Sequence, residues 1–447
     1  MPRLMLTLGL IATAALPVTA QVAPGRDSIP TRTALARLGL EREWTTTLPV
    51  GNVDERINHA NLHDNTLFAQ TNRGLVHAID AATGRRLWSR RLSEGPTLGF
   101  DISTNSDQVF VTLQDTLYCL ERGSGHILWT VRLEAMPSTG TVADEEVVAV
   151  GLRTGKIVAY TTRDHSRDNP VPGRSPGSFA WAWQTQGIVD AAPIISPEVV
   201  VFGSEDNRVY AATRRDKNER PTLLYRYVTQ GPVIGHLTPL GRRTVVVPCA
   251  DYNLYAIDLY TGANRWIIPT SAPISTQPLV IGTDVVAIND DGRLLIIDGR
   301  EGTIRGDSQT NSRLIRAASP TRIYLTTSNH DLEIADRQTG QIVASARDTV
   351  QRAGLTIRQL SIPVVNTEHD RLFLVSPDGI LYAIREIGRI EPSPLRDPNW
   401  PAFGTVPPEG FRSDADELLS PSPDPEPNPD APANVPPPPD DLFGEEP

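Results

Sequence analysis

Three groups of residues in this chain of 447 have types and spacings that could carry chemistry. His59 and His63 have the i, i+4 spacing of a helical metal-binding pair, but no Glu follows the first histidine and the segment precedes a β-type run. Ser175 lies in a Gly-x-Ser-x-Gly pattern typical of a nucleophile elbow, but the next residue is Pro176, which has no N–H to offer an oxyanion. Neither group predicts a catalytic or metal site.

The third group is the two cysteines, Cys119 and Cys249. They are far apart in the chain, and we expect two buried free thiols rather than a disulfide. Neither lies near residue 20, where the lipid-bearing cysteine of an exported lipoprotein would stand. We therefore expect no lipid anchor there.

The elements that position these residues come from a phrase that returns about every 40 residues. It appears as Leu75–Trp88, again as Leu117–Trp129, and most cleanly as Leu254–Trp266. Each copy reads as a strand, a Thr-Gly-type turn and a second strand that carries a buried aromatic residue. A strand repeat of this length is typical of a β-propeller.

Eight copies of the phrase can be placed, and the eighth lacks its final Trp strand. An orphan strand of that kind, Glu43 to Leu48, stands near the N-terminus. The sequence thus predicts an all-β fold, an eight-bladed propeller of four-stranded blades over residues 44–390, in which the N-terminal strand closes the last blade. The tryptophans expected to pack between blades at the repeat position are Trp44, Trp88, Trp129, Trp183 and Trp266; Tyr227, Arg305 and Val343 hold that position in degenerate copies.

Two copies carry inserted loops at the place of the Thr-Gly turn, from Thr161 to Ser178 and from Arg214 to Pro221. Both are expected on one rim of the propeller, where insertions often contact partners. The candidate partner-binding residues in them are Asp164, His165, Arg167, Arg214, Arg215 and Lys217.

The two ends of the chain differ from the body. Residues 1–20 have a basic start, an apolar run and small residues before Gln21, which is typical of a cleaved secretory signal, and residues 21–43 form a linker. Residues 391–447 hold 17 of the 39 prolines and 13 acidic against 2 basic residues, so we expect a disordered acidic tail and spacer, with a recognition ligand as the alternative.

The net charge of −11 belongs to that tail, and the body is neutral. A neutral body without a basic stretch gives no footprint for nucleic acid. No apolar run is long enough to span a membrane. We expect an exported monomer, periplasmic or secreted.

The phrase Tyr-Ala-Ile-Asp-x-x-Thr-Gly-x-x-x-Trp, seen at Tyr255–Trp266, resembles the quinoprotein-type propeller repeat, named after enzymes that bind pyrroloquinoline quinone. The resemblance covers residues 44–390. It implies that the repeat tryptophans are structural. The repeat aspartates Asp80, Asp258, Asp298 and Asp336 are better explained as turn residues that bond the backbone before Thr-Gly.

Two families share this repeat and imply different functions. Quinone-dependent dehydrogenases need a calcium set and often an adjacent cysteine pair, and this chain shows neither. The family of the outer-membrane assembly factor BamB is exported, eight-bladed and non-enzymatic, and this chain resembles it in size and repeat but lacks its lipidated cysteine. The resemblance implies a scaffold that binds proteins in the cell envelope, without catalytic residues, metal or cofactor. The alternatives are a quinone-dependent dehydrogenase, or a sensor propeller that binds a carbohydrate or another ligand.

Overall fold

The computed structural model describes residues 30–51, 54–163, 175–214 and 222–405. The proposed signal segment 1–20 and residues 406–447 of the proposed tail lie outside the described residues. A short helix, α1 (Arg32–Arg37), is capped by the side chain of Thr31 and leads into strand β1 (Leu40–Thr47). The remaining strands follow as seven consecutive four-stranded sheets and a last incomplete one.

The blades are numbered in chain order. Blade 1 contains β2 Ile57–His63, β3 Thr66–Thr71, β4 Leu75–Asp80 and β5 Arg86–Arg91. Blade 2 contains β6 Ser103–Thr104, β7 Gln108–Leu113, β8 Thr116–Glu121 and β9 Ile127–Arg132. Blade 3 contains β10 Pro137–Ala143, β11 Val147–Leu152, β12 Lys156–Thr161 and β13 Phe179–Gln184. Blade 4 contains β14 Ile194–Ile195, β15 Val199–Ser204, β16 Arg208–Thr213 and β17 Leu223–Val228.

The second half repeats the same order. Blade 5 contains β18 Thr238–Leu240, β19 Thr244–Pro248, β20 Asn253–Asp258 and β21 Asn264–Pro269. Blade 6 contains β22 Leu279–Ile281, β23 Asp284–Ile288, β24 Arg293–Asp298 and β25 Ile304–Gln309. Blade 7 contains β26 Ser312–Ala318, β27 Arg322–Thr327, β28 Leu332–Asp336 and β29 Ile342–Ala344, and a π-helical turn, Asp348–Ala353, follows it. Blade 8 contains β30 Leu372–Val375, β31 Ile380–Glu386 and, at its outer edge, β1.

Each blade places its first strand innermost, because first strands of several neighbouring blades contact one another. Successive strands are antiparallel. The inner turn, between the innermost and second strands, and the outer turn, between the third and outermost strands, therefore lie on one face, which we call the insertion face. The middle turn lies on the opposite face.

The N-terminal strand closes the ring as the sequence predicts. Trp44 in β1 lies opposite Ala383 in β31, in the register that Trp88 and Ala78 adopt in blade 1. Arg371, whose side chain is 1% exposed, joins the two ends, since its Nε donates to Glu43 at 2.7 Å and its Nη2 to the carbonyl oxygen of Ile390 at 2.6 Å. The all-β, eight-bladed prediction is confirmed.

Blade 8 has three strands rather than the expected four. At its innermost position only Ile362 pairs with Val375, and Pro363, which lacks an N–H, follows at once. The buried guanidinium of Arg316 donates instead to the carbonyl oxygens of Ile362 at 3.0 Å and Phe373 at 3.2 Å. Burial lowers the pKa of Arg316 to about 10.

The aromatic of the repeat packs on the next blade, which explains the Thr-Gly turn. Trp88 donates its indole N–H to the carbonyl oxygen of Arg122 at 2.8 Å, and a Cβ on Gly125 would lie 2.6 Å from its ring. Trp266 stands in the same relation to Gly299 and Gly302. Glycine is needed in the outer turn both for its positive φ and because no side chain fits beneath the preceding blade's aromatic.

The register corrects several repeat positions. The residue opposite Ala159 is Trp181, which is 5% exposed, and Trp183 lies opposite Ile157. Pairing with the equivalent residue of the third strand likewise defines the repeat position in three other blades. That position holds Tyr225 rather than Tyr227 in blade 4, Gly306 rather than Arg305 in blade 6, and Ala344 rather than Val343 in blade 7. A β-bulge between the third and outermost strands occurs at this place in all of blades 1 to 7, so it does not set these blades apart. Wherever the outer turn ends in a glycine, the repeat position is the fourth residue after it, as Trp88 is after Gly84 and Trp181 is after Gly177.

Candidate functional site

The described ends of the two inserted loops, Arg163 and Ser175 in blade 3 and Arg214 and Thr222 in blade 4, lie at the outer turns of neighbouring blades, on the insertion face. Asp164, His165, Arg167, Arg215 and Lys217 lie outside the described residues. Arg214, the sixth candidate, is described and is 4% exposed rather than open to a partner. It contacts Asp144 of blade 3 at 2.5 Å and donates to the carbonyl oxygen of Ser196 at 3.0 Å, so it holds two blades together at the base of its loop.

Arg214 is one case of a recurring contact, which we call the arginine clasp. An arginine just after the third strand of one blade binds an aspartate at the inner turn of the preceding blade. Among the described residues the pairs are Arg122–Asp64 at 2.5 Å, Arg163–Asp107 at 2.9 Å, Arg214–Asp144 at 2.5 Å and Arg337–Asp284 at 3.3 Å. The clasps of Arg163 and Arg214 stand at the bases of the two inserted loops. The more exposed of these pairs, Arg122–Asp64 and Arg163–Asp107, contribute about 1 kcal/mol or less each. The clasps of Arg163 and Arg214 nevertheless fix where each loop leaves the body.

A C-terminal segment lies across the same face. Residues 391–405, which we call the strap, were expected to belong to the tail. Leu395 is 4% exposed and its carbonyl oxygen accepts from the N–H of Gly282 at 2.7 Å, at the inner turn of blade 6. Gly404 donates to the carbonyl oxygen of Arg242 at 2.7 Å and accepts from the hydroxyl of Tyr260 at 2.8 Å.

The strap also occupies the junction of blades 4 and 5, where the described residues form no arginine clasp. Leu259 stands in blade 5 where Arg122 and Arg214 stand in their blades, and it has no charge to offer blade 4. A Cβ on Gly404 would lie 2.2 Å from the Cβ of Ser196 and 3.4 Å from Leu259, so the strap fits between blades 4 and 5. The packed region thus extends to Thr405, beyond the expected boundary at residue 390.

The repeat aspartates act within the turns. Asp80 accepts from the N–H and the hydroxyl of Thr83, both at 2.8 Å, and Asp336 binds Thr339 in the same way. Burial works against ionisation of Asp258, but hydrogen bonds from Arg243, Arg265 and the Thr261 N–H together lower its pKa to about 2. These carboxylates are bound in place before each Thr-Gly turn, as expected.

The other residues with possible chemistry are also used by the fold. His59 and His63 lie on strand β2, where His59 contacts Asp101 at 2.8 Å and His63 contacts Thr104 at 3.1 Å. The described part of the chain holds no group of three or more side chains that could bind a metal ion. Gly177, in the serine pattern, has φ +77° and lies beneath Trp129, so the pattern is an outer turn.

The cysteines are both free and buried, which confirms the prediction. Burial raises the pKa of the Cys119 thiol to about 12 and that of the Cys249 thiol to about 11. A thiol of that kind is not a nucleophile at neutral pH. Among the described residues, no helix is both long and apolar enough to cross a membrane.

A family model described as outer membrane protein assembly factor BamB matches residues 72–168 and 116–346. The chain is similar to the outer membrane protein assembly factor BamB of Yersinia pestis, with 22% identity over 373 residues, 76% of this chain and 87% of that protein. It is likewise similar to the protein of that name in Shewanella oneidensis, with 22% identity over 345 residues, 71% of this chain and 82% of that one.

Solved structures show the same fold. BamB from Moraxella catarrhalis superposes with a TM-score of 0.59 and 15% identity, over 78% of this chain and 98% of that one. The computationally designed Ika8 protein superposes with a TM-score of 0.57 and 16% identity, over 76% of this chain and 98% of that one. A designed protein scores almost as high as a natural one, so the superpositions speak to architecture alone.

Proposed function

The chain belongs to the family of the outer membrane protein assembly factor BamB, and we propose that it is a non-enzymatic scaffold that binds protein partners in the cell envelope. The observation that carries the proposal is the family match, which extends over most of the ring. The more specific part of the proposal is that the partners belong to the machinery that assembles outer-membrane proteins. Residues 1–20 would direct export, and the protein would work in the periplasm.

The side chains that might have served catalysis support a scaffold. The repeat aspartates are bound to turn N–H groups, and both thiols are buried with raised pKa values. A catalytic acid, base or nucleophile needs a free face toward substrate and a pKa suited to its task. These groups instead stabilise turns and the packing between blades.

The binding surface that we propose is the part of the insertion face over blades 3 and 4. The inserted loops carry Asp164, His165, Arg167, Arg215 and Lys217, and these remain our candidates for contact with a partner. Arg214 has a different role in this proposal, since its clasp with Asp144 holds the base of the second loop. When loops project from a rigid base, the body of the protein loses little conformational entropy on binding a partner.

Deletion of the gene in the source organism tests the cellular role. We expect a smaller amount of folded outer-membrane β-barrel protein, measured by heat-modifiable migration on gels, and recovery on expression of the full chain. A chain in which residues 164–174 and 215–221 are replaced by Gly-Ser segments should not restore the folded amount. The matched control replaces Arg300 and Glu301 in the outer turn of blade 6 by Gly-Ser. Unchanged barrel assembly in the deletion strain would refute the outer-membrane role.

A further inference from the structure

Blade 7 departs from the other blades at its outer edge. Its outermost strand has three residues, Ile342–Ala344, whereas the outermost strands of blades 1 to 6 have six each. Ala344 holds the position at which blades 1 to 5 carry the repeat aromatic and blade 6 carries Gly306. The neighbouring Val343 is 59% exposed. Blade 7 therefore lacks both the six-residue outermost strand of blades 1 to 6 and the aromatic side chain of blades 1 to 5.

A cavity of about 470 Å³ opens where the aromatic is missing. Blade 7 contributes Ile334, Val343, Ala344 and Arg322, and the other lining residues lie at the end of helix α1, just after it, and in the π-helical turn. The lining residues are Arg37, Leu38, Gly39, Arg322, Ile334, Val343, Ala344, Asp348, Arg352 and Ala353. Cavities of about 300–1,000 Å³ are typical of ligand sites in proteins.

The cavity is cationic in a body that is otherwise neutral. Three arginines line it against one aspartate, and Asp348 is already paired with Arg352 at 2.9 Å. Arg37 donates to the carbonyl oxygen of Ala353 at 3.3 Å, and Arg322 donates to that of Leu38. In the described part of the chain neither of these two guanidinium groups has a carboxylate partner.

The glycine at this junction has an unusual neighbour. Gly39 has φ +71° and precedes the outermost strand of blade 8, as Gly84 precedes that of blade 1. The ring of Trp44 covers Gly84, but the guanidinium of Arg322 covers Gly39, where a Cβ would lie 3.0 Å from Nη2. At this junction a cation lies where an aromatic ring covers the turn glycine of blades 1, 2, 3, 5 and 6.

We propose that this cavity binds a short peptide segment of a partner protein that presents an aromatic side chain next to acidic residues. The aromatic ring occupies the space above Ala344, against Ile334, and the carboxylates meet Arg37 and Arg322. Guanidinium groups bind carboxylates through paired charged hydrogen bonds and also stack on aromatic rings. The inference rests on the proposed scaffold function and adds to it the chemical class of a second partner, at a site away from the inserted loops.

Selection from a random library of 12-residue displayed peptides on the full chain tests this site. We expect enriched peptides to carry Phe, Tyr or Trp flanked by Asp or Glu, and to bind less at higher salt. Fluorescence anisotropy with one enriched peptide should show at least about tenfold weaker binding to Ala344→Phe, which fills the cavity, and to the double variant Arg37→Gln/Arg322→Gln. Arg300→Gln, an exposed arginine elsewhere, should bind like the unaltered chain.

Peptides that lack acidic residues, no enrichment at all, or equal affinity for Ala344→Phe would each overturn the inference. Thermal melting of each variant shows whether it is folded, and Ala344→Phe keeps the test valid if the arginine double variant is unstable. If no peptide is selected and the unaltered chain and Ala344→Phe bind envelope proteins equally well, the cavity is not a peptide site, but the scaffold function stands. A chain that binds the selected peptide but no envelope protein would refute the scaffold function.

Discussion

Trp88 and Arg122 join blades 1 and 2, because Arg122 contacts blade 1 with both its backbone and its side chain. The indole N–H of Trp88 donates to the Arg122 carbonyl oxygen at 2.8 Å, while the Arg122 guanidinium contacts Asp64 of blade 1 at 2.5 Å. The aromatic contact and the arginine clasp therefore meet at one position of the repeat. A blade cannot separate from its neighbour at this junction without losing both.

The register of blade 3 predicts which of two nearby tryptophans stabilises the ring. Trp181→Ala should lower the free energy of unfolding by about 3–5 kcal/mol, because it removes the buried aromatic opposite Ala159. Trp183→Ala, two residues along the same strand and half-buried, should cost clearly less. Urea unfolding measures both values. A larger loss for Trp183→Ala would show that the sequence-based position was the right one.

The outer turn of blade 2 offers a matched pair of glycines. Gly125→Ala should destabilise by about 1–3 kcal/mol, since φ is +69° and the new methyl group would lie 2.6 Å from the Trp88 ring. Gly123→Ala, two residues earlier, meets no atom within 4 Å and should change stability little. Equal losses for the two variants, measured by urea unfolding, would contradict the packing of Trp88 on this turn.

Two buried histidines predict a loss of stability in mild acid. Burial lowers the pKa of His77 from 6.5 to about 4, and burial beside Arg371 does the same for His369. Between these pH values the unfolded chain binds protons that the folded protein does not, so stability is complete above about pH 6.5 and falls as the pH approaches 4. Each histidine can account for as much as about 3 kcal/mol.

The variant His77→Gln/His369→Gln should therefore show a flatter dependence of unfolding free energy on pH between about 4 and 6.5. His126→Gln, on an exposed outer turn, is the control and should keep the slope of the unaltered chain. The carboxylate of Asp258 titrates near pH 2 and does not contribute in this window. An unchanged slope in the double variant would show that other groups cause the acid sensitivity.

Two truncations separate the strap from the residues after it. Ending the chain at Ile390 removes the buried Leu395 and the contacts of Gly404 with blades 4 and 5, and should lower the melting temperature by about 3 °C or more. Ending it at Thr405 should leave the melting temperature within about a degree, since an acidic, proline-rich segment has few apolar residues to bury. Equal melting temperatures for both chains would place the strap with the tail.

The sequence predicts the ring well because its signals are local and repeated. The Thr-Gly turn, the following aromatic and the orphan strand at Trp44 suffice for blade number and closure. The repeat position in blade 3 is harder to predict, because Phe179, Trp181 and Trp183 alternate on one strand and an inserted loop replaces the Thr-Gly turn from which the aromatic is counted. The glycine that marks the position is Gly177, at the end of the inserted loop, and its positive φ of +77° becomes evident only in the structure.

The sequence does not predict that the strap is packed on the ring. Its composition matches the tail, and its ordering depends on a few residues, chiefly Leu395 and Gly404, that meet blades far away in the chain. The cavity of blade 7 was likewise hidden, since Ala344 reads as an ordinary strand residue until its register places it at the aromatic position. A small residue at the position of the repeat aromatic is hard to recognise in a single sequence.

We propose that this propeller binds an envelope protein through the loops of blades 3 and 4. The most direct measurement is equilibrium binding of the purified full chain to the purified barrel-forming subunit of the outer-membrane assembly machine from the same organism, by biolayer interferometry. We expect saturable binding that weakens at least about tenfold when residues 164–174 and 215–221 are replaced by Gly-Ser, and that is unchanged when Arg300 and Glu301 are replaced. Absence of saturable binding, or equal affinity for both replacements, would contradict the claim.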